Sequence, residues 1–207
     1  MCFSPILNDL IAPSPPYAAL IFDCDGTLAD TLSVHFQTFV LAFQKFGAEL
    51  PTAWYYERTG LPGIEFIQAF NQSFGYAINE HVVDVERQRH FLDLIHQVQE
   101  VPAVAEIARA NYGKVPMAVA SNGHRLLVES IIDAIKLRSL FHTIVTLDDV
   151  SVGKPAPDLF LLAAKRMGVA PEDCIVYEDS DHGLEAARRA GMRWIDVRIL
   201  KQIDESN

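Results

Sequence analysis

Apolar and polar positions along the chain follow two different rhythms. Ala18-Ala19-Leu20-Ile21-Phe22-Asp23 is a short apolar run that ends on an acid, the pattern of a strand buried in a parallel sheet. After Gly26, residues Leu32, Phe36, Phe39, Val40, Phe43 and Phe46 recur at helical spacing and Gly47 supplies a stop, which predicts a helix with one apolar face. Further helices are predicted over 63–74 and 80–98, with no strand before residue 115. Beyond Val101 strands alternate with helices: strand 115–120, helix 124–135, strand 143–146, helix 158–167, strand 174–177, helix 181–190, strand 194–197. Such alternation builds a parallel sheet covered by helices. The expected fold is α/β: a Rossmann-like parallel-sheet core from residues 17–29 and 101–207, with a small all-helical cap, residues 30–100, inserted after the first strand. Residues 1–16 are expected to be a poorly structured extension.

The remaining composition narrows the function. Half of the 207 residues are hydrophobic, enough for a substantial core. The net charge is -10, which argues against a nucleic-acid partner, since such a partner needs a basic surface. A small phosphorylated metabolite stays compatible, because a metal ion and a local cation reverse the field inside a cleft. Cys2, Cys24 and Cys174 form neither a zinc pair nor a closed disulfide set, which points to a reducing, cytoplasmic setting. The first sixteen residues carry no Lys or Arg and are broken by Pro5, Pro13, Pro15 and Pro16, so neither a signal peptide nor a membrane span is expected.

Four polar constellations stand at predicted strand ends, where ligands bind in open parallel sheets. In Asp23-Cys24-Asp25-Gly26-Thr27, two carboxylates one residue apart can place one acid at a reacting atom and the other beside it, while Gly26 permits a sharp turn. An acidic turn or helix cap is the plainer alternative. Ser121-Asn122-Gly123 offers a hydroxyl and backbone N–H groups for phosphate oxygens, or simply a helix cap. In Gly153-Lys154-Pro155-Ala156-Pro157-Asp158 the prolines stiffen the backbone around a lysine that would face a fixed charge, and Asp158 would cap the next helix; a solvated turn lysine is the other reading. Glu178-Asp179-Ser180-Asp181 sets carboxylates side by side, which suits a hard, oxygen-preferring cation such as Mg²⁺, or an acidic helix N-terminus.

In this order and placement the four motifs resemble the haloacid dehalogenase superfamily, over nearly the whole chain after residue 16. That resemblance implies Asp23 as nucleophile and Asp25 as general acid and base. It implies a Mg²⁺ site from the Asp23 carboxylate, the Asp25 carbonyl and Asp179, with Glu178 nearby. Ser121, Lys154 and the backbone around Asn122 would hold the transferring phosphoryl group. An acid at position 25 disfavours dehalogenation, and the small cap implies a low-molecular-weight substrate.

The stretch 154–167, the run Ala186-Ala187-Arg188-Arg189-Ala190-Gly191-Met192 and the ending Asp196-Val197-Arg198 are similar to the subgroup holding β-phosphoglucomutases and fructose-1-phosphate phosphatase-like proteins. The mutases carry a phosphate-binding arginine near the position of Gly63 and a serine near that of Gly123; both are absent here. These departures favour hydrolysis of a sugar phosphate through an aspartyl-phosphate. A phosphosugar mutase and a non-catalytic phosphometabolite sensor are the rival readings. His35 is either a hinge or packing residue or a catalytic one, Arg58 and Thr59 either line the cap side of the cleft or sit in an ordinary loop, and Cys24 is expected to be structural.

Overall fold

The computed structural model describes residues 10–59 and 61–200. They separate into two compact units, one running up to Asp30 and resuming at Gln99, the other Thr31–Val98.

In the first unit, β1 (Ala19–Phe22), β4 (Met117–Ala120), β5 (Thr143–Val145), β6 (Cys174–Glu178) and β7 (Arg193–Asp196) form one sheet in the order β5-β4-β1-β6-β7. All its pairings are parallel. The apolar runs read as strands because they are buried on both faces. Ala19 and Ile21 pack with Ala118, Ala120, Val145, Cys174 and Val176 against helices α7 (Asp158–Met167) and α8 (Asp181–Arg189). The alternate side chains include Phe22, which stacks on Tyr177 at 4.8 Å and meets Phe141 edge-on. Helices α5 (Pro102–Asn111) and α6 (Arg125–Ala134) complete the alternation.

The register explains the clustering at the strand ends. Phe22 lies level with Val119 on one side and Tyr177 on the other, so Asp23 and Glu178, one residue on, and Ser121, two residues on, emerge at the same edge of three adjacent strands. Asp23 N–H donates to the Tyr177 carbonyl and Ser121 N–H to that of Val145.

The second unit is helical: α1 (Leu32–Gln44), α2 (Thr52–Tyr56), α3 (Gly63–Phe74) and α4 (Glu80–Leu94). Its core is aromatic, with Phe39, Phe43, Tyr55, Phe66 and Phe70 buried together with Ile67 and Val83, and Phe43 stacked on Phe70 at 4.1 Å. The buried stripe of α1 is narrower than the apolar spacing suggested. Leu32 and Phe46 are exposed, and the second of these lies beyond the helix end. Asn79 caps α4, its Oδ1 accepting from Val82 N–H at 3.1 Å.

Three expectations are corrected. A two-residue antiparallel pair, β2 (Ala29–Asp30) with β3 (Gln99–Glu100), precedes residue 115; two residues are too few to show a period. Asp158 makes no side-chain cap: it is the first helical residue of α7, after Pro157, where its charge still suits the helix dipole. Within residues 10–16, the chain is tied to the sheet rather than loose, and residues 1–9 lie outside the described residues. Ile11 is fully buried, its carbonyl accepts from the Tyr177 hydroxyl at 2.8 Å, and Arg193 donates to the carbonyls of Ser14 and Pro16. Burial leaves the Tyr177 phenol pushed up beyond its ordinary range, so it remains a donor throughout the working pH range.

This anchoring has a measurable consequence. Ile11→Ala is expected to cost about 2–5 kcal/mol, as for other buried aliphatic truncations, and Tyr177→Phe roughly 1 kcal/mol for one buried hydrogen bond. Thermal melting of both variants checks this; unchanged melting in both would contradict the anchoring.

Candidate active site

Asp23 extends β1 by one residue at the centre of the sheet, and every other member of the cluster is brought to it by a neighbouring connection. Lys154, from the loop before α7, places Nζ 2.5 Å from Asp23 Oδ1 and 2.7 Å from Glu178 Oε2. All three side chains are buried, with no more than 9 % of any exposed. The ammonium also lies 4.9 Å from the Phe160 ring centroid.

Glu178 ends β6 and has both oxygens occupied. Oε1 accepts from the N–H groups of Asp179 and Ser180 and from the Ser180 hydroxyl at 2.8 Å; Oε2 takes the lysine. Ser180 in turn accepts from Gly183 N–H and so caps α8. A Cβ on Gly183 would fall inside the Glu178 carboxylate, so this position in the first turn of α8 has to be glycine for the acid to fit. Asp179 is held from the β1 side: Thr27 Oγ1 donates to Asp179 Oδ1 at 3.1 Å, and Asp179 Oδ2 sits where a Cβ on Gly26 would be. Gly26 has φ +80°, so both its conformation and the close approach exclude a side chain.

Among the described residues, Asp23, Glu178 and Asp179 each offer a carboxylate oxygen within 4.8 Å of the others, a group that could hold a metal ion. The donors are all oxygen, the chemistry of Mg²⁺ or Ca²⁺. The electrostatics fit the same ion. Burial, then the charges of Glu178 and Asp179, push Asp23 well above the ordinary carboxylate range, more than Lys154 pulls it down. Burial would also strip Lys154 of its proton, but Asp23 and Glu178 outweigh it and hold the ammonium charged. One lysine therefore faces three carboxylates, and a divalent cation would restore the balance.

Each of the other sequence candidates is held within its own unit. The Asp25 carboxylate and the Ser121 hydroxyl both approach Gly123: a Cβ there would stand 3.3 Å from Ser121 Oγ and 3.9 Å from Asp25 Oδ2. Gly123 N–H donates to Ser121 Oγ at 3.0 Å. The Asn122 side chain is engaged with the backbone of Lys154. Cys24 is buried, and burial together with Asp25 and Asp23 pushes its thiol up, which suits packing and not redox chemistry. In the helical unit, His35 stacks on Phe91 at 4.7 Å with Nδ1 3.3 Å from Arg87 Nη1. Arg58 lies over Trp54 and is bonded to Glu57, and Thr59 donates to the Tyr56 carbonyl. Gly60, beside them, lies outside the described residues. Sequence reasoning passed over Ser180 and Thr27 as holders of the acids; a hydroxyl directly after Glu178-Asp179 and another two residues after Asp25 were the available signals.

The raised Asp23 gives a signed pH dependence. In chelator, a folded-state pKa above the unfolded value means the native state binds more protons, so the stability linked to Asp23 falls as pH rises through the raised value. Asp23→Asn cannot ionise and is expected to gain on the native protein in thermal melts from about pH 4 upward, with Mg²⁺ reversing the order. A melting difference constant over that window would contradict the assignment.

Comparison with known proteins agrees with the geometry. Residues 20–197 match the family described as haloacid dehalogenase-like hydrolase. The Escherichia coli protein named fructose-1-phosphate phosphatase YqaB is 35% identical over 185 residues, 89% of this chain and 98% of that one. A Thermotoga maritima protein named phosphorylated carbohydrates phosphatase is 28% identical, with 86% and 83% covered. The crystal structure of CbbY from Rhodobacter sphaeroides in complex with phosphate superposes with a TM-score of 0.78 at 30% identity, over 87% of this chain and 86% of that one. No helix among the described residues is long and apolar enough to cross a membrane. With the matched region running from within β1 through β7 and containing all four motifs, the chain belongs to the haloacid dehalogenase-like hydrolase family.

Proposed function

We propose that the protein is a Mg²⁺-dependent phosphatase that hydrolyses a small phosphate monoester, a sugar phosphate, through an aspartyl-phosphate on Asp23. The observation that carries this reading is the buried Lys154 ammonium shared by Asp23 and Glu178, with Asp179 within metal-binding distance of both. The relatives named as phosphatases of fructose 1-phosphate and of phosphorylated carbohydrates support the substrate class.

Asp23 and Asp179 would hold Mg²⁺ with the Asp25 carbonyl. Glu178, whose oxygens already serve Lys154 and Ser180, would stand beside the ion. When bound, the ion supplies positive charge to the Asp23 carboxylate and to a phosphoryl oxygen. An Asp23 oxygen forms the new bond to phosphorus as the ester P–O bond breaks. Lys154 and the Ser121 hydroxyl stabilise charge on the phosphoryl oxygens. Asp25 gives its proton to the departing alkoxide, then takes one from the water that attacks the aspartyl-phosphate, releasing inorganic phosphate and restoring Asp23.

The mutase reading has one observation in its favour. Although position 63 is glycine, an arginine does reach its neighbourhood: a Cβ on Gly63 would lie 3.3 Å from Arg87 Nη2. That guanidinium is committed to Asp84, with bonds of 3.0 and 3.1 Å from Nη2 and Nε to one oxygen. Its charge is thus already offset, which favours hydrolysis over a grip on a second phosphate.

Inorganic phosphate release from a panel of sugar phosphates, with Mg²⁺ and with chelator, tests the proposal. Native protein is expected to release phosphate only with Mg²⁺, Asp23→Asn to abolish release, and Asp25→Ala to slow it by roughly 10²–10⁴-fold. Isomerisation dependent on a sugar bisphosphate, without net release, would establish the mutase. Silence in both assays would favour the sensor.

A further inference from the structure

The geometry points to Asn122 as a positioning residue that sets Lys154 through its backbone, and not as a group that binds substrate with its side chain. The inference rests on the phosphatase reading and refines the way its lysine is held. Asn122 follows Ser121 at the end of β4, 32 residues before Lys154. Its carboxamide faces the peptide groups of that single residue: Oδ1 accepts from Lys154 N–H at 2.8 Å and Nδ2 donates to the Lys154 carbonyl at 3.2 Å. A side-chain amide carries an acceptor and a donor side by side, so it can satisfy both backbone groups at once. Aspartate retains only the acceptor, and serine is too short to reach both.

The loop is shaped for this contact. A Cβ on Gly153 would come within 2.5 Å of Asn122 Oδ1 and 2.9 Å of Leu147 Cδ1, so the amide can approach only because residue 153 has no side chain. Gly153 has no positive φ, and its need for glycine here comes from that close approach rather than from its conformation. Lysine is a charge on a flexible four-carbon stem. The Lys154 stem has its far end fixed by Asp23 and Glu178 and its near end by Asn122. When a phosphoryl group enters and Asp23 bonds to phosphorus, the Asp23 contact weakens, and the ammonium is then kept on station by Glu178 at its far end and by the Asn122 clamp at the near end of the stem. A displacement of about 1 Å in such a group is enough for a 10²-fold loss.

Steady-state phosphate release with Mg²⁺ from the most active ester of the sugar-phosphate panel tests this. Asn122→Ala is expected to lower kcat by about 10- to 100-fold with KM changed less than about 3-fold, and to retain a cooperative thermal melt. Gly153→Ala, which pushes the amide away from the other side, is expected to reproduce the effect. In a Lys154→Ala background, adding Asn122→Ala should cost no more than about 2-fold, because its only route of action is gone. Full activity in Asn122→Ala, or losses that multiply in the Lys154→Ala background, would overturn the inference while leaving the phosphatase reading intact. A native protein that releases no phosphate from any ester would overturn both.

Discussion

A lysine ammonium buried between two carboxylates, with a third acid alongside, is the constraint to which the rest of the core answers. Placing Lys154, Asp23 and Glu178 almost wholly out of water costs several kcal/mol per ion before their attraction is counted, and the arrangement leaves one negative charge in excess even before Asp179 is included. Such a cluster is a poor device for stability and a good one for chemistry that moves negative charge. The surroundings are built to permit it. Gly26 and Gly183 remove the side chains that would collide with Asp179 and Glu178, Ser180 links Glu178 to the first turn of α8, and Thr27 steadies Asp179. The parallel register delivers Asp23, Ser121 and Glu178 to one edge because three neighbouring strands end within one residue of each other.

Catalytic power in this account comes from preorganisation. The oxygens of Glu178 and the ammonium of Lys154 are already oriented before any substrate arrives, so little reorganisation is left for the reaction itself. The weak point of that design is the lysine stem. Its contact with Asp23 would weaken once phosphorus bonded there, leaving Glu178 to hold the far end, which gives the contact between Asn122 and the Lys154 backbone a purpose that a simple turn would not have.

Much of this was legible in the chain. The central strands β1, β4 and β6 are buried, mainly apolar runs leading into polar residues, and α3 and α7 are found at the bounds their patterns mark, because burial on both faces or on one face writes a plain pattern. The acidic and basic residues of the cluster were legible because their spacing from strand ends is fixed by the fold. Other features were not. The β2–β3 pair is too short to carry a period, and the docking of residues 11–16 depends on Tyr177, more than 160 positions away. The role of the Asn122 side chain also depends on a partner distant in sequence. Leu32 and Phe46 look like core positions by spacing alone, yet both are exposed, one as the first residue of α1 and the other beyond its end.

The central claim is a covalent phosphorus–oxygen bond at Asp23, and the most direct test is to capture it. Protein turning over a sugar phosphate with Mg²⁺ would be quenched, reduced with borohydride to convert an aspartyl-phosphate to homoserine, and mapped by mass spectrometry, with Asp25→Asn included to slow breakdown of the intermediate. The account predicts homoserine at position 23, dependent on Mg²⁺ and substrate. Turnover with no modification at position 23 in either protein, or modification at another carboxylate, would contradict it.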